Sequence, residues 1–244
     1  PAANKTISDF VANKIRARVN DPAVAEKLIP TDHGFGTRRV PLETNYYEVY
    51  NQDNVRLIDI RETPIERFTP TGLTTGAESF EFDIIIFATG FNAVLGSFER
   101  MDIRGEGGVT LKEKWRDGPR TFLGIQSAGF PNLFTLVGPH NAATFCNIPR
   151  CIEQNVEWVS DALAFMQERG YTRMAATQEA EDEWTTHVME SSEKLLLSKT
   201  RSWFTGINPN LPGRQQRKFL LYAAGAPRYR DRCDEVAAED YAAF

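Results

Sequence analysis

Residues 82–92 read Phe-Asp-Ile-Ile-Ile-Phe-Ala-Thr-Gly-Phe-Asn. Four large apolar residues in succession, Ile84 to Phe87, are apolar at odd and even positions alike. That is the pattern of a strand covered on both faces. The run stops at Ala88-Thr89-Gly90. Small side chains there leave the backbone open to close approach, and ligands of open α/β sheets sit beyond the carboxyl ends of strands. Gly90 also tolerates backbone angles that a larger residue would not. Taken alone, Ala-Thr-Gly fits a tight strand-to-loop turn equally well, because three-residue matches are common.

Working outward, residues 64–90 read as strand, turn at Thr71-Gly72, strand and then the apolar run. The segment PNLFTLVGPH, residues 131–140, predicts a second buried strand, and RKFLLYAAG, residues 217–225, another. Helix is expected over 8–30 with Ser8 as N-cap, and Asp21-Pro22 restarts it as a second short helix. Residues 46–60 read as a short helix followed by a strand, and LKEKWRDG as a short helix. The strongest helical signal spans 149–167. Ile152, Val156, Val159, Leu163 and Met166 fall at three- and four-residue spacing, the periodicity of a core-facing stripe. Asn147 is placed to cap it, with Pro149 in the first turn. A polar helix over 174–198 and a charged C-terminal helix follow. Strands mixed with helices, two of the strands apolar on both faces, predict an α/β fold of parallel sheets covered by helices.

The 244 residues are 41% hydrophobic and 25% charged, with a formal charge of −5, which argues against a nucleic-acid surface. No apolar run approaches the roughly 20 residues that span a bilayer. The first residues lack the basic start and apolar core of a leader, so a cytoplasmic location is expected. Cys146, Cys151 and Cys233 are odd in number and irregularly spaced, which predicts reduced structural thiols. His33, His140 and His187 are too scattered for a metal site.

The order of several long segments carries more. FDIIIFATGFNAVLGSFERMDIRG, then LKEKWRDGPRTFLGIQSAGFPNLFTLVGPHN, resembles the type I Baeyer–Villiger monooxygenases. The resemblance reaches back to NKIRARVNDPAVAEKLIPTDHGFGTRRVPLE and forward to SWFTGINPN and YRDRCDEVAAEDY. It implies a flavin enzyme built on two dinucleotide-binding, Rossmann-like domains, of which this chain is a C-terminal portion. Residues 1–82 would then complete the NADP domain, with a helical insertion, and residues 83–244 the FAD domain. The family's two GxGxxG loops lie upstream of what is present, so the missing N-terminal portion is the implied partner. RGEGGVT at 104–110 lacks the GxGxxG spacing.

The same resemblance implies the chemistry. NADPH reduces FAD, O₂ adds to give a C4a-peroxyflavin, and the peroxide attacks a ketone that rearranges to an ester or lactone. GTRR matches the catalytic-arginine motif, with Arg39 the catalytic residue and Arg38 at a position that holds the 2′-phosphate of NADPH. A permanently charged guanidinium suits anionic oxygen. Trp203 matches a tryptophan that packs near the nicotinamide cofactor. Ala88, Thr89, Gly90 and Phe91, with Asn147 and Ile148, match FAD contacts, the last two at a helix start whose partial positive charge would favour reduced flavin. Ala143, Thr144, Phe145 and Cys146 match a loop lining the substrate pocket. Asn92 departs from the aspartate common after Ala-Thr-Gly-Phe. Two other readings stand beside this one: a related flavin monooxygenase that oxygenates nitrogen or sulfur, and a non-catalytic C-terminal fragment.

Overall fold

The computed structural model describes residues 2–141, 146–208, 211 and 216–244. Two compact units divide the chain, Pro1–Gly90 and Phe91–Phe244.

The first unit opens on helix α1 (Ala2–Arg16) and helix α2 (Pro22–Leu28). Asp21 caps α2 as its sequence promised, its carboxylate accepting from the amides of Ala23 and Val24 at 2.8 and 3.4 Å. Ser8 does not cap α1. The helix begins six residues earlier, and the Ser8 hydroxyl accepts from the amide of Phe35 at 3.0 Å instead. Ile15, Val19 and Ala25 form a small core roofed by Val11, Leu28 and Tyr47. A 3₁₀ turn, Glu48–Asn51, is held to the turn that follows α1 by Arg18, which pairs with Glu43 and Glu48.

Three short strands follow, β1 (Ile65–Thr69), β2 (Gly72–Thr75) and β3 (Ser79–Glu81), paired antiparallel in the order β1-β2-β3. Thr69 faces Gly72 across a Pro70-Thr71 turn. A Cβ on Gly72 would stand 1.9 Å from the Phe80 carbonyl oxygen, so only glycine fits. Residues 55–60 form no strand. Nor does the run that ends in Ala-Thr-Gly. Its last ladder-like bond is Phe82 N–H to Thr71 O at 2.8 Å, and beyond it Ile84 and Ile86 are 78% and 85% exposed. The strand pattern is in the side chains, but no neighbouring strand among the described residues pairs with it. The sheet that is present is small and antiparallel.

The regular elements of the second unit are mainly helices: α3 (Gly96–Arg100), α4 (Leu111–Lys114), α5 (Ile148–Arg169), α6 (Gln178–Glu193), α7 (Leu196–Lys199) and α8 (Ala226–Ala238). Thr110 and Glu113 close a capping box on α4. Its core joins Trp158 and Ala162 of α5, Trp184 and Val188 of α6 and Tyr229 and Val236 of α8 around Phe122, Ile125 and Leu220. The segments expected as strands at 131–140 and 217–225 form none. Phe219 to Tyr222 are buried, but their backbone bonds go to separate partners. His140 N–H donates to Leu220 O, Leu220 N–H to Phe204 O and Tyr222 N–H to Asn141 O.

Helix α5 is rotated from the expected face by about one residue. Met166 is buried and Val159 packs against the core as expected, but Ile152, Val156 and Leu163 are exposed and Cys151, Asn155, Trp158 and Ala162 face the core instead. Both stripes have helical spacing. What chooses between them is Trp158, whose Nε1 donates to Cys233 O at 2.8 Å, and Asn155, whose side-chain oxygen accepts from Val137 N and Asn141 Nδ2. Gly170 ends the helix at φ +69°. Among the described residues no helix is long and apolar enough to cross a membrane.

Candidate functional site

In the first unit the residues of interest sit on the loop 30–43, which is tied down on α1. Asn4 Nδ2 donates to Phe35 O at 2.8 Å, and buried Thr37 turns its hydroxyl onto Gly34 O at 2.8 Å. Gly36, at φ +73°, supplies the bend between these anchors. The bend presents Arg38 and Arg39 on one groove of about 520 Å³, whose apolar wall includes Val11, Ile15, Leu28 and Tyr46. Arg39 is exposed. Arg38 is half-buried and donates from Nη2 to Asp32 at 3.0 Å. Asp32 also stands 2.6 Å from His33 Nδ1. That hydrogen bond, with the charge of Arg38 behind it, holds the Asp32 carboxyl below the usual carboxylate range. Two guanidiniums at the edge of an apolar trough can hold an anionic group attached to a less polar body. Asp32 and His33 were not singled out from sequence; an acid six residues before an arginine is too common a pattern to read.

Ala88, Thr89 and Gly90 end the first unit, all exposed. They are not among the residues lining the Arg39 groove. Gly90 sits at φ +84° and a Cβ there would meet nothing within 4 Å, so the glycine answers a backbone angle, not crowding. Phe91 is 91% exposed.

In the second unit Asn147 occupies the N-cap position of α5 with extended backbone, but its side chain makes no capping bond. Asn147 and Ile148 are both exposed, and the helix start offers its first-turn N–H groups without a side-chain acceptor from Asn147. Cys146 and Cys151 are joined as a disulfide, with Cα atoms 6.8 Å apart, which corrects the expectation of three reduced thiols. The first turn of α5 brings the later cysteine back over the residue before the cap. Only Cys233 is free, buried in the core, where burial pushes its thiol up to about 12. Ala143, Thr144 and Phe145 lie outside the described residues. Trp203 opens a 3₁₀ turn, Trp203–Thr205, half-buried, with its ring 4.3 Å from that of Phe204. Asn92 donates from Nδ2 to Glu99 at 3.1 Å. Among the described residues no group of His, Cys, Asp or Glu could hold a metal ion.

The chain resembles known proteins over nearly its whole length. It is 50% identical over 242 residues to 2-oxo-Δ3-4,5,5-trimethylcyclopentenylacetyl-CoA monooxygenase of Pseudomonas putida, covering 99% of this chain and 44% of that protein. Acetone monooxygenase of Gordonia sp. (strain TY-5) is 42% identical over 243 residues, covering 99% and 45%. A phenazine N-monooxygenase of Lysobacter antibioticus is 41% identical over 245 residues, covering 100% and 44%. No family model matches. In fold, the crystal structure of OTEMO in complex with FAD and NADP superposes with a TM-score of 0.92 at 49% identity, covering 99% of this chain and 44% of that one. The chain is related to the C-terminal part of the Baeyer–Villiger monooxygenases. It spans less than half the length of these monooxygenases. Within this chain, the loop 30–43, the bend 88–91, the start of α5 and Trp203 are the places the sequence singled out. The structure brings Arg38 and Arg39 together on one groove and keeps the rest on separate elements.

Proposed function

We propose that this chain supplies the C-terminal portion of an FAD- and NADPH-dependent Baeyer–Villiger monooxygenase, which inserts one oxygen atom of O₂ beside a ketone carbonyl to give an ester or lactone. The observation that carries the reading is likeness over 99% of the chain, at a TM-score of 0.92, to a structure holding FAD and NADP. Residues 1–82 would belong to the NADP domain and 83–244 to the FAD domain. An N-terminal portion would bring the dinucleotide loops and the parallel neighbours of a Rossmann-like sheet. Two exposed apolar features support that partner: the run Ile84 to Phe87, with its backbone ladder unmade, and the outer stripe Ile152, Val156 and Leu163 of α5.

The residues present fit a flavin. The backbone at Ala88 to Gly90 is open to close approach, and the α5 start offers uncapped N–H groups with the partial positive charge of a helix N-terminus. When bound, the flavin supplies the oxygen chemistry and NADPH the hydride. Ala88 to Phe91, Asn147 and Ile148 would orient the ring. Arg38 would hold the 2′-phosphate, and Trp203 the nicotinamide end. Arg39 would place fixed positive charge where negative charge grows on oxygen, stabilising the transition state more than the neutral ketone. Residues 143–146 would shape the ketone pocket.

The test uses the full-length protein that carries this chain. The expected result is a yellow, flavin-loaded protein that consumes NADPH and converts cyclic ketones to lactones carrying one atom from ¹⁸O₂. A flavin-loaded protein that oxygenates amines or sulfides but no ketone would replace this reading with the N- or S-oxygenating one. A colourless protein would leave the non-catalytic one.

A further inference from the structure

We propose that Cys146 and Cys151 are a modification site: a dithiol that hydrogen peroxide closes, and small thiols reopen, at the entry of α5. The pair is bonded in the structure, with Cα atoms 6.8 Å apart and four residues between. A crosslink that closes so short a loop constrains little of the unfolded chain and ties no distant elements together, so it is poorly suited to a structural task. Its setting is that of a reactive pair. Cys146 is half-buried and the four intervening residues, Asn147 to Arg150, are all exposed, so peroxide and reductant reach the pair at the Cys146 sulfur, while Cys151 is buried behind it as the resolving thiol. Cys146 precedes the N-cap of a 22-residue helix whose cap residue makes no side-chain bond, and the helix start favours a thiolate beside it.

The third cysteine sets the contrast. Cys233 is fully buried, and Trp158 Nε1 donates to its carbonyl at 2.8 Å. Burial keeps its thiol protonated. It can neither attack peroxide nor exchange with the pair.

The chemistry balances. One thiolate attacks peroxide, the O–O bond breaks, and a sulfenic acid forms as hydroxide leaves and takes a proton to become water. The second thiol attacks the sulfenic sulfur, the S–S bond forms, and a second water departs. Two thiols are oxidised by two electrons and one peroxide is reduced to two waters. The closed bond pins residue 146 to the first turn of α5 and so fixes Asn147 and Ile148. The open pair leaves that turn free to fray. This site is independent of whether the protein oxygenates ketones.

The experiment takes the full-length protein that carries this chain, reduced with dithiothreitol and freed of it, adds stoichiometric peroxide, and alkylates before and after re-reduction, with peptide mass analysis. Cys146 and Cys151 should resist alkylation after peroxide, with a linked peptide two hydrogens lighter, and regain it after dithiothreitol under native conditions. Cys233 should react only in denaturant. Amide exchange at Cys151, whose N–H donates to Asn147 O at 3.1 Å, should slow at least several-fold in the closed form. Cys151→Ser should leave Cys146 trapped by a sulfenic-acid reagent; should that variant not fold, the wild-type alkylation pattern decides. The proposal is overturned if both thiols stay alkylatable after peroxide, if the bond resists dithiothreitol in the folded protein, or if exchange at the Cys151 amide is the same in both forms.

Discussion

Asp32 accepts a hydrogen bond from Arg38 Nη2 at 3.0 Å, and so steadies the half-buried guanidinium beside the exposed Arg39. If Arg38 reads the 2′-phosphate, Arg38→Ala should raise KM for NADPH about tenfold or more and leave KM for NADH nearly unchanged, since a charge-assisted bond contributes about 1.5–3 kcal/mol. Steady-state kinetics of the full-length enzyme with both cofactors checks this; equal losses for the two would remove Arg38 from the phosphate. The Asp32 carboxyl titrates below its unfolded value, first through His33 and then through the charge of Arg38. Its contribution is therefore present above the ordinary carboxylate pKa of about 4 and fades as pH falls through the folded value.

Arg39→Ala should lower ketone oxygenation on the order of 100-fold or more while flavin stays bound and NADPH still reduces it, because only the charge facing developing oxyanion is lost. Stopped-flow reduction measured beside product formation separates the two. Near-normal product formation would take catalysis away from this residue.

His140 is fully buried, and desolvation brings its pKa down to about 4 from 6.5. Between those values the unfolded chain binds the proton and the folded chain does not, so stability rises with pH across the window and is lost as pH falls. The loss should reach roughly 3 kcal/mol by pH 4. Urea unfolding at pH 7, 5.5 and 4.5 should show the slope in the wild type and a flatter one in His140→Gln; parallel slopes would contradict the assignment.

Glu181 is fully buried, 2.9 Å from Lys114 Nζ, and accepts from Ala128 N–H at 2.7 Å. Removing one partner of a buried pair costs about 3–5 kcal/mol. Arg120 remains 3.5 Å from the carboxylate, so Lys114→Met should cost less, about 2 kcal/mol. Denaturant midpoints measure it, and a neutral substitution would mean that solvent or Arg120 already compensates the charge.

The two stripes of α5 should respond oppositely. Trp158→Ala, on the inner face, should destabilise the second unit by about 3–5 kcal/mol. Val156→Glu, on the exposed face, should leave that unit's stability within about 0.5 kcal/mol. In the full-length protein the same Val156→Glu should impair folding or flavin loading, because a charge would enter the surface proposed to meet the N-terminal portion. An unimpaired full-length protein would show that face to be open to solvent there too.

The sequence was legible where the physics is local. Asp21-Pro22 starts α2 through an acceptor and a preset φ, LKEKWRDG holds α4, and Gly72 marks a hairpin. Segment order was equally legible, and it carried the resemblance that led to Arg38 and Arg39. The structure decided what depends on partners distant in the chain. Ile84 to Phe87 has the side chains of a doubly covered strand, but a strand exists only where another backbone takes its hydrogen bonds, and none among the described residues does. Helix α5 carries two stripes of helical spacing, and only the bonds of Trp158 and Asn155 turn one of them inward. The pairing of Cys146 with Cys151 and of Asp32 with Arg38 likewise waited on the turns that bring them together. Periodicity states which residues share a face; which face is covered is set by what the rest of the fold brings against it.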